Sequence, residues 1–285
     1  MPRKSGFSMI GLLILFGFAD VSIATAQIDW RYSYRSALKQ AKQSGKPILI
    51  DFWASWCPPC KAMDKEVWPN NRVVALSEKF VCISVDIDKD SATSSLYHVN
   101  AIPTIVFADP WGNALTSREG YTQATELAEI MKGIPGDYSE VKDWFASLEE
   151  DSKDGIALCR IGEFYRKRNV IDLSNIYFKR ALKTKALETD LAMREAILLA
   201  VGLNYLKLKK YDDARKSFEQ CLKEVPNATQ CDKALLGIVA AQIQKRKIAD
   251  AEKTFEQLKS KYPESSATQQ ALQILQQART QQKQN

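Results

Sequence analysis

Apolar and polar positions follow two different rhythms along the chain, and the change falls between residues 134 and 154. From residue 27 to about 135, helical and strand patterns alternate. Tyr34 to Gln43 is polar with Ala37, Leu38 and Ala41 on one face, and Gly45 to Pro47 stop it. Ile48-Leu49-Ile50-Asp51-Phe52-Trp53 is a nearly unbroken apolar run, the pattern of a strand covered on both faces. A helix is expected to start around Cys57 to Cys60, and Phe80 to Val85 and Ile105 to Phe107 read as strands. Trp111-Gly112-Asn113 reads as a turn into Ala114 to Arg118, after which Gln123 to Lys132 returns to helix. This order predicts an α/β domain over 27–135, a mixed sheet with helices on both faces.

Gly133, Pro135 and Gly136 break that pattern. Ser139 then caps a short helix carrying Val141, Trp144, Phe145 and Leu148 on one face, so 136–154 reads as a linker helix. From residue 155 to the end the text is helical and repeats itself. Gly162, Tyr165, Phe178 and Ala181 recur 40 residues later as Gly202, Tyr205, Phe218 and Cys221. Ala214, Phe218 and Pro226 recur 37 residues later as Ala251, Phe255 and Pro263. The small and aromatic positions within a unit have the offsets of a helix–turn–helix repeat of about 34 residues. On these residues the region 155–285 resembles the tetratricopeptide repeat (TPR), with units at 155–188, 195–228 and 232–265 and Ala267 to Arg279 as a capping helix. The pattern departs at Ser174 and Ala186 in unit one and at Val239 and Gln242 in unit three. The resemblance implies a concave face lined by Ala196, Leu199, Leu203 and Leu206, then Lys233, Leu236, Ala240 and Ile243. Such an apolar groove calls for a protein or peptide partner, or for cover by the chain's own Trp144 and Phe145 helix.

A length of 285 residues agrees with two domains. The net charge of +6 comes from 40 basic and 34 acidic residues spread along the chain, with no basic track interleaved with aromatics, so no nucleic-acid partner is expected. Residues 1–26 read as a signal peptide: Arg3 and Lys4, an apolar core from Met9 to Phe18, and Ala24-Thr25-Ala26 as the cleavage pattern. The apolar run ends before Asp20, short of the roughly 20 residues of a membrane span. Cleavage leaves Gln27 first in a soluble chain, periplasmic or otherwise extracytoplasmic; an uncleaved anchor is the alternative. Export means an oxidising compartment, where thiol chemistry needs its own electron supply.

The chemistry concentrates in Trp53-Ala54-Ser55-Trp56-Cys57-Pro58-Pro59-Cys60-Lys61. Two cysteines at the end of a buried strand and the start of a helix suit disulfide exchange. The unpaired N–H groups and partial positive charge of a helix start favour a thiolate at Cys57, and Cys60 lies within reach to resolve a mixed disulfide. Asp51, ionisable within an apolar strand, should have a raised pKa and can take the Cys60 proton. With Asp51-Phe52-Trp53-Ala54, Trp56-Cys57-Pro58-Pro59-Cys60, Ala101-Ile102-Pro103-Thr104 and Gly120, the stretch from Gly45 to Lys132 resembles the thioredoxin superfamily. Within it, Gly45-Lys46-Pro47 is most similar to the periplasmic domain of the bacterial membrane thiol:disulfide interchange protein, and Pro58-Pro59 to the thioredoxins of cytochrome c maturation.

The resemblance implies that Cys57 is the nucleophile, Cys60 the resolving thiol, Asp51 a carboxylate beneath the motif and Pro103 a cis proline facing the disulfide. Ile102, Pro103 and Thr104 then form the segment against which a substrate pairs, and Trp56 is the exposed contact beside Cys57. Where many relatives place a lysine near the carboxylate, the neighbouring strand has Cys82, Ser84 and Asp86. No cofactor beyond the cysteines is implied. A metal site is not expected, because a single C-x-x-C and one histidine, His98, cannot assemble the usual ligand sets. Cys82 and Cys159 read as small core residues, and Cys221 and Cys231 as either free thiols or a bridge across the Pro226-Asn227 turn. The predicted activity is an exported thiol–disulfide oxidoreductase that reduces protein disulfides and draws electrons from a membrane thiol–disulfide donor. The alternatives are a TPR-based scaffold in which the redox fold is secondary, and a disulfide oxidase or isomerase.

Overall fold

The computed structural model describes residues 27–225 and 229–284. The expected signal peptide, with Arg3, Lys4 and Ala24-Thr25-Ala26, and the expected Pro226-Asn227 turn lie outside the described residues. The first half forms a five-stranded sheet in the order β1-β3-β2-β4-β5. Its strands are β1 (Trp30–Arg31), β2 (Ile48–Trp53), β3 (Val81–Asp86), β4 (Thr104–Ala108) and β5 (Ala114–Glu119). The first three run parallel, and β4 and β5 are antiparallel to their neighbours.

The apolar run of β2 is buried on both faces because alternate side chains enter different cores. Ile48, Ile50 and Phe52 pack with Ala37 and Ala41 of α1 (Tyr34–Ser44). Leu49 turns the other way, toward Met63 of α2 (Pro58–Glu66), Val73 of α3 (Asn71–Ser77) and Leu127 of α5 (Ala124–Gly133). By the same alternation Asp51 faces α2. Helix α1 ends where Gly45 turns left-handed, at φ 70°, and its N–H closes on the Ala41 carbonyl at 2.8 Å. The sequence pattern missed β1, α3 and α4 (Ser91–Leu96), which are too short to establish a period. Asn70 and Asp90 cap these two helices, accepting from the N–H groups of Arg72 and Thr93 at 3.0 and 2.9 Å.

The second half is built from antiparallel helix pairs: α7 (Gly155–Lys167) with α8 (Ile171–Ala181), α10 (Leu191–Lys207) with α11 (Tyr211–Glu224), and α12 (Cys231–Gln244) with α13 (Ile248–Lys261). The turn inside each pair has a residue at positive φ, Asn169 at 60°, Lys209 at 57° and Arg246 at 57°, so the backbone repeats at the spacings read from the sequence. Close approach explains the glycines. A Cβ on Gly162 would lie 2.5 Å from the Phe178 ring, and one on Gly202 2.4 Å from that of Phe218. An inserted helix, α9 (Lys185–Thr189), lengthens the first interval. The departure at Ser174 is compensated: Asn204 donates to Ser174 Oγ at 3.0 Å and to Asn175 Oδ1 at 2.9 Å, all three buried. Helix α14 (Ser266–Gln284) caps the stack, with Ala271 and Leu275 against Val239 and Phe255.

The two halves meet in an aromatic joint. Trp111, in the turn between β4 and β5, stacks on Phe145 of α6 (Lys142–Glu150) at 3.7 Å between ring centres. Tyr138, Phe164, Tyr165 and Tyr177 complete the cluster. At its centre Asp109, fully buried directly after β4, accepts from Trp111 N at 2.8 Å, Asn113 N at 2.9 Å and Asn113 Nδ2 at 2.7 Å. It also accepts from the Tyr165 hydroxyl of α7. This placement bears on the two covers that the sequence left open for the groove. The Trp144 and Phe145 helix is used up in the joint and does not cover the groove, whose Leu203 is 50% exposed. Cys221 and Cys231 are free and buried, with Cys221 Sγ directed at the Glu195 carbonyl.

Candidate active site

Strand β2 ends at Trp53, and after three intervening residues the chain turns into α2 with Cys57 as its N-cap. Cys57 and Cys60 are joined in a disulfide, their Cα atoms 5.4 Å apart. The Cys60 N–H donates to Cys57 Sγ at 3.2 Å. Pro58 and Pro59 carry no N–H, so this is the backbone donor that the first turn of the helix offers the sulfur. Both cysteines are buried; Cys57 is 2% exposed. Their apolar collar consists of Ala54, Trp53, Ile87 and Ile102. Trp56, beside them, is 61% exposed, and its indole N–H donates to Asp88 Oδ2 at 2.8 Å.

The Ile102-Pro103 peptide bond is cis. It brings Ile102 against the cysteines, while the Pro103 carbonyl accepts from Gly120 N at 2.7 Å, tying the loop to the end of β5. Thr104 opens β4, and its hydroxyl donates to the Ala101 carbonyl at 2.7 Å. The backbone N–H and C=O of Ile102 have no partner among the described residues and are free to pair with an extended chain.

Asp51 lies opposite Ser84 on β3 and Ile105 on β4. Burial pushes its carboxyl up to about 8, and the charge of Asp64 adds to the shift. Where a lysine was absent from the sequence, the group that tunes Asp51 is thus a second carboxylate. Asp64 itself is raised by desolvation. Its sequence signal was available, since it lies one helical turn past Cys60 and shares its face. Asp88 and Ile87 had no such signal, because the β3–α4 turn meets the motif only in the folded sheet. His98 is exposed, and among the described residues no group of three or more His, Cys, Asp or Glu could hold a metal ion.

A thioredoxin-like family model matches residues 29–110. The thioredoxin of Mycoplasmoides gallisepticum is 32% identical over 99 residues, which cover 34% of this chain and 94% of that one. This chain belongs to the thioredoxin family. The thiol:disulfide interchange protein DsbD of Vibrio vulnificus is 32% identical to this thioredoxin-like chain over 103 residues, and the match spans 17% of DsbD's length. A solved thioredoxin from Thermus thermophilus shares 27% identity over 37% of this chain and 85% of its own, with a TM-score of 0.34. Residues 205–273 match a tetratricopeptide-repeat model. The protein is therefore a thioredoxin-like thiol–disulfide oxidoreductase joined to TPR repeats. No helix among the described residues is long and apolar enough to cross a membrane.

Proposed function

We propose that this oxidoreductase is exported and reduces protein disulfides, with Cys57 as nucleophile and Cys60 as resolving thiol. The observation that carries the direction is the single backbone donor on Cys57 Sγ. A thiolate with few donors is weakly stabilised, and its dithiol is a strong reductant. The Asp51 and Asp64 carboxylates, on the α2 side of β2 and on α2 itself, act in the same sense when ionised. The helix dipole and Lys61 oppose them. Equilibration of the full chain with glutathione buffers is expected to give a potential near the thioredoxin value of about −270 mV; one near the oxidase value of about −120 mV would overturn the direction.

In the forward reaction the Cys57 thiolate attacks one sulfur of the substrate disulfide. The Cys57–substrate bond forms as the substrate S–S bond breaks, and a first thiolate leaves. Asp51 takes the Cys60 proton, and Cys60 attacks Cys57 Sγ, expelling the second thiolate. Two electrons pass to the substrate, and the two cysteine protons end on its thiols. Ile102 supplies the backbone edge for the substrate segment, with Pro103 and Thr104 holding the loop and Trp56 as the side wall.

Likeness to DsbD supports an extracytoplasmic setting and a membrane thiol donor that restores the dithiol. The open groove of Ala196, Leu199 and Leu203 supports a protein or peptide partner on the repeats. A Cys60→Ala variant made from the whole coding sequence tests substrate, role and place together. It should accumulate proteins as mixed disulfides on Cys57, on a chain beginning at Gln27, in the extracytoplasmic fraction. Adducts on another cysteine, or on a chain retaining Met1, would contradict the assignment.

A further inference from the structure

We propose that Asp88 is a specificity determinant of this site: it fixes the Trp56 indole beside Cys57 and sets an unneutralised negative charge at the entrance, selecting against anionic disulfides. The proposal rests on the thiol–disulfide reading above.

The β3–α4 turn is built to hold Asp88 in place. Asp86 Oδ1 accepts from Asp88 N at 3.1 Å, and the Asp86 carbonyl accepts from the N–H groups of Lys89 and Asp90 at 3.0 and 2.9 Å. Asp90 is committed to capping α4. Ile87 N donates to the Trp53 carbonyl at 3.0 Å, and the Ile87 side chain packs on the two cysteines. The turn is thus bound to the reacting centre at residue 87 and holds the indole at residue 88.

The charges of the turn are distributed unequally. Lys89 pairs with Asp86 at 3.0 Å. Asp88 has no ion pair among the described residues, and its partner, the indole N–H, is neutral. Its negative charge therefore remains at the mouth of the site. Helix α2 carries Lys61, Asp64, Lys65 and Glu66, two of each sign, and Glu66 accepts from the Tyr121 hydroxyl at 2.7 Å. The exposed indole would exchange among rotamers without its hydrogen bond, and ordering it costs entropy at each encounter. Held by Asp88, it is a preformed apolar wall of the kind that anchors protein interfaces. The combination favours a cysteine flanked by apolar or basic residues and disfavours a small anionic disulfide such as that of glutathione.

The test uses the reduced full chain and its single-turnover oxidation by three small disulfides: dianionic glutathione disulfide, neutral 2-hydroxyethyl disulfide and dicationic cystamine. Asp88→Asn keeps an oxygen for the indole and removes the charge. The rate ratio of glutathione disulfide to the neutral compound should rise about two- to five-fold, that of cystamine should fall similarly, and both changes should shrink at high salt. Asp88→Ala should add a shift of the Trp56 indole N–H resonance and a higher KM for a protein disulfide, which Asp88→Asn restores. If Asp88→Ala does not fold, the isosteric variant still decides the charge effect. Loss of packing alone would change all three small disulfides alike, so ratios equal to those of the unaltered chain overturn the proposal. Absence of exchange by the unaltered chain would instead sink the oxidoreductase reading, and the proposal with it.

Discussion

Asp51→Asn is expected to stabilise the oxidised protein by about 2–4 kcal/mol at pH 7 and to slow resolution by Cys60 far more than attack by Cys57. The stability effect follows from the raised carboxyl. Asp51 binds its proton in the folded state up to about 8, whereas the unfolded chain releases it around 3.8. Between those values the folded state holds more protons, so stability is full below the window, falls as pH rises through it, and levels off above it. Asparagine removes that loss and should flatten the pH dependence of urea unfolding between about pH 4 and 8. The kinetic effect has the same origin. At pH 7 only about a tenth of Asp51 is ionised, so resolution in the unaltered protein should quicken toward pH 8 and lose that dependence in the variant. Stopped-flow traces with identical resolution rates would remove Asp51 from the mechanism. An unchanged unfolding profile would remove the buried charge.

Asp109→Ala is expected to cost about 3–5 kcal/mol, because it strands the Tyr165 hydroxyl and the donors of Trp111 and Asn113 in an apolar joint. Tyr165→Phe removes one of those bonds and should cost about 1–2 kcal/mol. In Asp109→Ala the two halves should unfold in separate urea transitions, whereas the unaltered chain is expected to lose both together. The glutathione equilibrium of Cys57 and Cys60 should stay in place, since Asp109 follows the far end of β4 from Pro103. A single transition at the original midpoint would mean that the joint carries no coupling.

The parts of this architecture that could be read in the sequence are those whose signal is local. The apolar run of β2 declared a doubly covered strand, the C-x-x-C declared its helix, and the glycine and aromatic offsets declared the repeats. Groups that act across the fold left no such trace. Asp88 meets Trp56 across 32 residues and Tyr165 meets Asp109 across 56, and neither partner is marked by its neighbours. Trp111 read as part of a turn and Phe145 as one face of a linker helix, and only the fold shows that they stack on each other. Ser174 looked like a flaw in the repeat until Asn204 was seen to use it. The short elements β1 and α9 escaped for a simpler reason: neither completes enough turns or alternations to create a period.

The route from the reacting sulfurs to the repeats runs along β4. Its first residue, Thr104, follows the cis Ile102-Pro103 bond, whose Ile102 packs against the cysteines, and its last, Ala108, precedes the Asp109 joint. Six extended steps from Pro103 to Asp109 span about 20 Å. Two modules on a loose tether average over many separations, and their gain in avidity follows the length of the tether. Here the tether is a strand locked at both ends, so the molecule behaves as a caliper with one jaw at Cys57 and the other on the helices. Under the proposed function, a client gripped by the far jaw would be reduced only where its own fold sets the disulfide at the matching span.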